Sequence, residues 1–217
     1  MSRSKDAWAF HPEVPLGDLS PELSSPVGLF EAITRRFVVI DSETTGLQRD
    51  ARIVELAAAW VDVASGAITD LRTMLVDPGM RIPRETSAVH GIFDKDVKGK
   101  PPIDRVLTPF FAFLEDGPVV AHNAGFDVRR IRFEADRTRS RIPGRVPVWC
   151  SMKIAKRVWK DRQSYRLEAL AADLNLTREG AAHRAASDIR VTAQFVLRAM
   201  ATAKKDLREL APQEDTL

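Results

Sequence analysis

A single cysteine, Cys150, stands in the 217 residues. No intrachain disulfide can form, so packing alone must hold the fold, as expected in a reducing compartment. Cys150 follows Val146-Pro147-Val148-Trp149 and reads as a small buried residue, not a nucleophile. No apolar run approaches the roughly 20 residues that cross a bilayer. The N-terminus, Met1-Ser2-Arg3-Ser4-Lys5-Asp6, lacks the apolar core of a signal peptide. Internal repeats and low-complexity segments are missing as well. These absences exclude a disulfide-stapled secreted scaffold, a membrane-spanning helical protein and a solenoid, and point to a cytoplasmic protein.

What is present is enough for one domain with a substantial core. Net charge is only +3, but it is unevenly spread. From Arg129 to Arg166 thirteen Lys and Arg residues face Glu134, Asp136 and Asp161 alone. Such a run is either a solvated helix surface or a positive face that attracts a phosphodiester backbone.

The apolar run Phe37-Val38-Val39-Ile40 is short, β-branched and uncharged, and predicts a buried strand. Asp41-Ser42-Glu43 follows it. Strand side chains alternate with period two, so Asp41 and Glu43 project from the same face. Two crowded carboxylates repel unless a cation or proton lies between them. Oxygen-only ligands suit hard divalent ions such as Mg²⁺ or Mn²⁺. Thr44-Thr45-Gly46-Leu47 then supplies a turn with backbone amides for a phosphate or terminal nucleotide. By itself Asp-x-Glu after a strand is usually only a polar strand end.

Two further segments add acids. Ala121-His122-Asn123-Ala124-Gly125-Phe126-Asp127 follows a second apolar strand, Gly117-Pro118-Val119-Val120. Asn123 is expected to cap the helix that begins there, with Asp127 near its first turn. Asp127 reads either as a site acid or as a helix-start acid favoured by the macrodipole. His183-Arg184-Ala185-Ala186-Ser187-Asp188 opens the last helix, whose apolar stripe is Ile189, Ala193, Val196, Leu197 and Met200. Asp188 falls at the core edge, where an unpaired acid is unfavourable. His183 precedes the helix, where an imidazole stays solvated.

The organisation predicts an α/β domain over 37–203, an N-terminal extension at 1–36 and a polar tail at 204–217. The extension carries Pro12, Pro15, Pro21 and Pro26, with a helix start at Ser25-Pro26 whose Val27, Phe30 and Ile33 would pack on the domain. A mobile arm is the alternative. Ile53 to Val63 and Ile68 to Val76 read as a hairpin joined near Ser65-Gly66. Ile103, Val106, Leu107, Phe110, Phe111 and Leu114 mark an amphipathic helix whose aromatic stripe belongs to the core. Further helices are expected near 126–139, 151–159, 166–174 and 184–203. The pattern suggests a mixed sheet of about five strands between helical layers.

Taken together, Asp41/Glu43, Asp127 and His183/Asp188 resemble, in order and context, the three motifs of the DnaQ-like, DEDDh-type 3′–5′ exonucleases. The resemblance runs from about Phe37 to Met200. Val38 to Leu47 is similar to the first motif nearly throughout, and Ser87-Ala88-Val89-His90-Gly91-Ile92 resembles a loop that lies against the terminal nucleotide. Val148 to Met152 and Tyr165 to Ala171 resemble stretches common in proofreading members, such as the epsilon subunits of bacterial DNA polymerase III. The resemblance implies a ribonuclease-H-like exonuclease fold. It also implies two divalent cations, Mg²⁺ or Mn²⁺, on Asp41, Glu43, Asp127 and Asp188, with His183 taking a proton from the attacking water. Thr44, Thr45, Gly46, Leu47, His90, Gly91, Ile92, His122, Asn123 and Phe126 would touch the nucleotide, Leu47 as an apolar wedge. Phe126 has packing beneath Asp127 as an alternative.

The implied reaction is removal of nucleotides from DNA 3′ ends, in proofreading or repair. An RNA-trimming activity and a catalytically silent module that docks nucleic acid or a polymerase are the alternatives, since nothing in the residues decides how a 2′-hydroxyl is treated. A DNA polymerase subunit is an implied partner. Epsilon subunits carry a C-terminal tether, whereas this chain ends soon after its last helix, so the same contact is not expected.

Overall fold

Nine residues, Arg36–Thr44, form β1. It is longer than its apolar run because Ile53–Asp62 (β2) pairs with it antiparallel along its full length, from Arg36 opposite Asp62 to Thr44 opposite Ile53. Asp41 and Glu43 therefore lie inside a hydrogen-bonded strand, across from Ala57 and Glu55. Ile68–Leu75 (β3) returns antiparallel to β2. The turn between them is closed by Asp62, whose carboxylate accepts from the Ser65 amide at 2.8 Å and hydroxyl at 2.7 Å, and by Gly66 at φ 71°.

The structure is a computed structural model that describes residue 33 and residues 35–114, 117–142, 146 and 148–206. The expected helix at Ser25-Pro26 and the tail beyond 206 lie outside the described residues. Of the residues expected to pack from that segment, Ile33 is described and is buried against Phe37 and Val39.

Val119–Ala121 (β4) and Val148–Cys150 (β5) complete the sheet. β4 runs parallel to β1, and β5 parallel to β4. The order is β3-β2-β1-β4-β5, a mixed five-stranded sheet with β1 at its centre. Alternation along β1 divides the core. Val38 and Ile40 pack with helices Ile103–Leu114 (α3) and Gly125–Thr138 (α4). Phe37 and Val39 pack with Ser151–Val158 (α5) and Ala185–Asp206 (α7). Leu167–Asp173 (α6) closes onto α7 through Leu167, Ala171 and Val191. The aromatic stripe of α3 is core: Phe110 and Phe111 are buried and meet edge to face.

Two local expectations fail. Residues 87–90 are not a loop. They finish the helix Arg84–His90 (α1), stopped by Gly91 in the left-handed region at φ 70°; the short helix Asp94–Val97 (α2) follows. Asn123 does not cap α4. It is itself left-handed at φ 58°, which a cap in extended conformation cannot be, and Ala124 holds the cap position without a side-chain bond.

Phe110 is fully buried, so Phe110→Ala is expected to lower unfolding free energy by about 3–5 kcal/mol. A urea titration with unchanged m-value and a lower midpoint is the check.

Candidate active site

The alternation that divides the core also builds the site. Asp41 and Glu43 continue the Phe37, Val39 face and meet Asp188 from the first turn of α7. One carboxylate oxygen from each of Asp41, Glu43 and Asp188 lies within 4.8 Å of the others. Ser42 points to the opposite face, where Asp127, in the first turn of α4, accepts its hydroxyl hydrogen bond at 2.6 Å. Asp127 is thus not one of the three clustered acids. It reaches the site from across the strand, with its charge felt by Asp41.

The electrostatics are those of uncompensated crowding. Burial, then the charges of Asp127, Glu43, Asp188 and Glu55, hold the Asp41 carboxyl well above the usual range. Burial first, and then Asp188, Glu55 and Asp127, push Glu43 from 4.5 to about 8, against the pull of Arg184. Burial lifts Asp127 to about 7 against the Ser42 hydrogen bond. Asp188 is also raised by burial, although Arg178 donates to it and to Ser187 Oγ. A cluster of hard oxygen donors that retains protons for want of positive charge fits a divalent cation.

These acids open into a cavity of about 680 Å³, within the range of a small-ligand pocket. Asp41, Glu43, Asp188 and His183 line it, with Thr44, Gly46, Leu47, His90, His122, Asn123 and Phe126 from the expected nucleotide contacts. Thr45, Gly91 and Ile92 do not line it. Thr45 is buried and its hydroxyl accepts from the Arg52 amide, and Ile92 packs with Val54, Ile82 and Val97. His183 precedes α7 with φ 54° and is exposed, its Nε2 3.6 Å from Glu168 Oε1.

The other two histidines of the cavity are tied up by protein. His90 Nε2 donates to the Thr44 carbonyl at 3.2 Å, and Nδ1 accepts from the Ile92 amide at 3.0 Å. His122 Nε2 donates to the Tyr165 carbonyl at 3.1 Å, leaving Nδ1 to accept from Ser151 Oγ at 2.9 Å. Burial pushes His122 down to about 4, so it presents a neutral ring face rather than a charge. Leu47 is 82% exposed at the cavity mouth. Its loop is nevertheless fixed: Arg130 of α4 donates to the Leu47 carbonyl at 2.8 Å and the Arg49 carbonyl at 2.9 Å. Phe126 lies against the same guanidinium, 5.3 Å from its ring centre.

Sequence reasoning overlooked Arg178, Arg130 and Glu55. Glu55 alone left a signal, as the single charge inside the run Ile53 to Val61; the arginines left none.

Comparison with known proteins gives a consistent picture. The exonuclease family profile matches residues 38–196. The chain is similar to a PolC-type DNA polymerase III of Thermotoga maritima, 37% identical over 186 residues, which are 83% of this chain and 13% of that protein. The chain therefore spans only a small part of the PolC-type relatives it matches. It is 33% identical to the DNA polymerase III subunit epsilon of Aquifex aeolicus over 163 residues, 75% of this chain and 79% of that one. Among solved structures it is similar to Exonuclease X in complex with 5′ overhanging duplex DNA, with TM-score 0.62 and 32% identity over 77% of this chain and 93% of that one. The nuclease domain of 3′hExo, a DEDDh family member bound to rAMP, shares the fold at TM-score 0.70 and 14% identity, covering 81% and 94% of the two chains.

The raised carboxyls make stability depend on pH. Glu43 titrates at 4.5 when unfolded and about 8 when folded, Asp127 at 3.8 and about 7. Between those values the folded state holds protons that the unfolded chain has released, so unfolding free energy falls as pH rises. In chelator, the urea midpoint is expected to be lower at about pH 8 than at about pH 5, and Mn²⁺ at the higher pH should restore it. A midpoint that climbs with pH in chelator would contradict the crowding.

Proposed function

The chain belongs to the exonuclease family, and on that footing we propose that it is a metal-dependent 3′–5′ exonuclease removing nucleotides from DNA 3′ ends, in proofreading or repair. The observation that carries this reading is the convergence of Asp41, Glu43 and Asp188 within 4.8 Å, in a cavity of about 680 Å³ that the exposed His183 also lines.

Asp41, Glu43 and Asp188 would hold Mg²⁺ or Mn²⁺, with Asp127 supporting from the Ser42 side. Divalent cations there supply charge neutralisation for the phosphate and a more acidic attacking water. The chain's own residues do the rest. His183 would accept the water's proton, and its exposure would let it pass the proton to solvent. Leu47, held out by Arg130, would pack against the last base. Thr44, Gly46 and Asn123 border the sugar and phosphate, and the ring faces of His90, His122 and Phe126 offer flat surfaces. Arg166 lines the cavity, and Lys156 of α5 lies 5.7 Å from the ring centre of the neighbouring Tyr165; these positive groups would draw the strand's phosphates by a salt-sensitive attraction.

We place the catalytic unit in residues 37–203, with 1–36 and 204–217 as flanking segments. A cytoplasmic setting suits the lone buried thiol of Cys150, and no helix among the described residues is long and apolar enough to cross a membrane. A DNA polymerase subunit is the proposed protein partner, to be sought by pull-down with the purified polymerase.

The test is digestion of end-labelled single-stranded DNA, mismatched primer-template and short RNA with Mg²⁺ or Mn²⁺. A ladder shortening from the DNA 3′ end is expected; preference for RNA, or binding without cleavage, would overturn the reading. Asp41→Asn is expected to abolish metal-dependent cleavage. His183→Ala should lower kcat by about 10²–10⁴-fold with substrate affinity retained by gel shift, and full activity in that variant would remove its assigned role.

A further inference from the structure

A fifth carboxylate, Glu55, sits beside the cluster without joining it. It lies on β2 directly across from Glu43 and is 2% exposed. Its charge is fully satisfied by groups from the other end of the chain. Arg184 grips both oxygens, Nη2 on Oε1 at 2.9 Å and Nε on Oε2 at 3.3 Å. The amide of Ala185, the first residue of α7, donates to Oε2 at 3.1 Å. Thr73 of β3 donates to Oε1 at 3.2 Å. A carboxylate so held meets both an arginine fork and a helix N-terminus, two arrangements whose donors complement its two oxygens.

Arg184 and Ala185 directly follow His183, and Asp188 lies one turn further on. His183 itself is left-handed and exposed, so its own surroundings do little to fix it. We propose that Glu55 is a positioning residue: through Arg184 and the Ala185 amide it fastens the junction carrying His183 and the start of α7 to the central sheet, setting the histidine's aim at the reacting centre. This rests on the proposed exonuclease reaction for its effect on turnover, although the clamp itself does not.

Glu55→Gln is the sensitive variant. It preserves shape, but the groups facing the carboxylate, Arg184 and Ala185, donate, so an amide NH₂ must oppose at least one of them. The expected result is a kcat lowered by about 10–100-fold with KM for the oligonucleotide little changed, because aim is lost and ground-state binding is not. Amide exchange at Ala185, followed by NMR or mass spectrometry, should quicken while the thermal midpoint confirms a folded protein. Arg184→Gln should match it, and the double variant should be no worse than the poorer single one. Wild-type kcat in a Glu55→Gln protein, a loss confined to KM, or losses that multiply in the double variant would each overturn the proposal. A wild-type protein that cleaves nothing would instead strike the exonuclease reading, while Ala185 exchange would still report on the clamp.

Discussion

Repulsion between like charges is the constraint around which this molecule is arranged. Asp127, Asp188 and Glu55 are all close enough to raise the proton affinity of Asp41 and Glu43. The chain compensates them unequally. Glu55 receives Arg184 and Asp188 receives Arg178. Asp127 has a serine hydroxyl. Asp41 and Glu43 form no ion pair among the described residues. The deficit of positive charge is therefore concentrated on the two acids of β1, which is where an added cation gains most. Pairing every acid with an arginine would have given a steadier fold with nothing left to attract an ion.

The scaffold that tolerates this crowding is rigid where it matters. β1 is paired with β2 along its full length, Asp41 and Glu43 included, and is anchored to β4 at Val38 and Val39, so the two acids cannot drift apart to relieve their repulsion. Helices on both faces seal the strand's apolar half. Buried ion pairs and polar ties then fix the loops. Glu134, fully buried, takes Arg52, Arg137 and the Ile53 amide, and Arg130 holds the Leu47 carbonyl from the same helix. Such buried charges add little net stability when compared with apolar packing, but removal of one partner is costly, which is how they enforce one geometry.

Much of this was legible in the linear sequence, because it rests on local patterns. The apolar runs at Phe37 and Val119, the hairpin about Ser65-Gly66 and the stripe of α3 each carry their period in a few residues. The order of strands and helices anticipated the mixed sheet, and the family likeness its ribonuclease-H-like kind. What was not legible depended on distance or on short elements. Arg84–His90 spans seven residues, too few for a periodic signal, and was expected as a loop. Asn123 has a capping residue's chemistry but a left-handed backbone. Thr45 turns inward although Thr44 and Gly46 line the cavity, and Ile92 packs with Val54, Ile82 and Val97. The partners of Glu55 and Asp127 lie far along the chain, and no local rule says which arginine or serine will meet which acid. His122 was expected to touch the nucleotide; only the fold shows both its nitrogens already taken by protein.

The clustered acids come from opposite ends of the domain, two from its first strand and one from its last helix. During translation the β1–β2 hairpin emerges early, yet Asp188 leaves the ribosome almost 150 residues after Asp41, and domains built N-terminus first must wait for such late arrivals. A growing polypeptide thus carries only two of the three clustered acids until α7 docks. The cluster is therefore among the last features of the domain to be completed, and no unfinished copy can hold it whole.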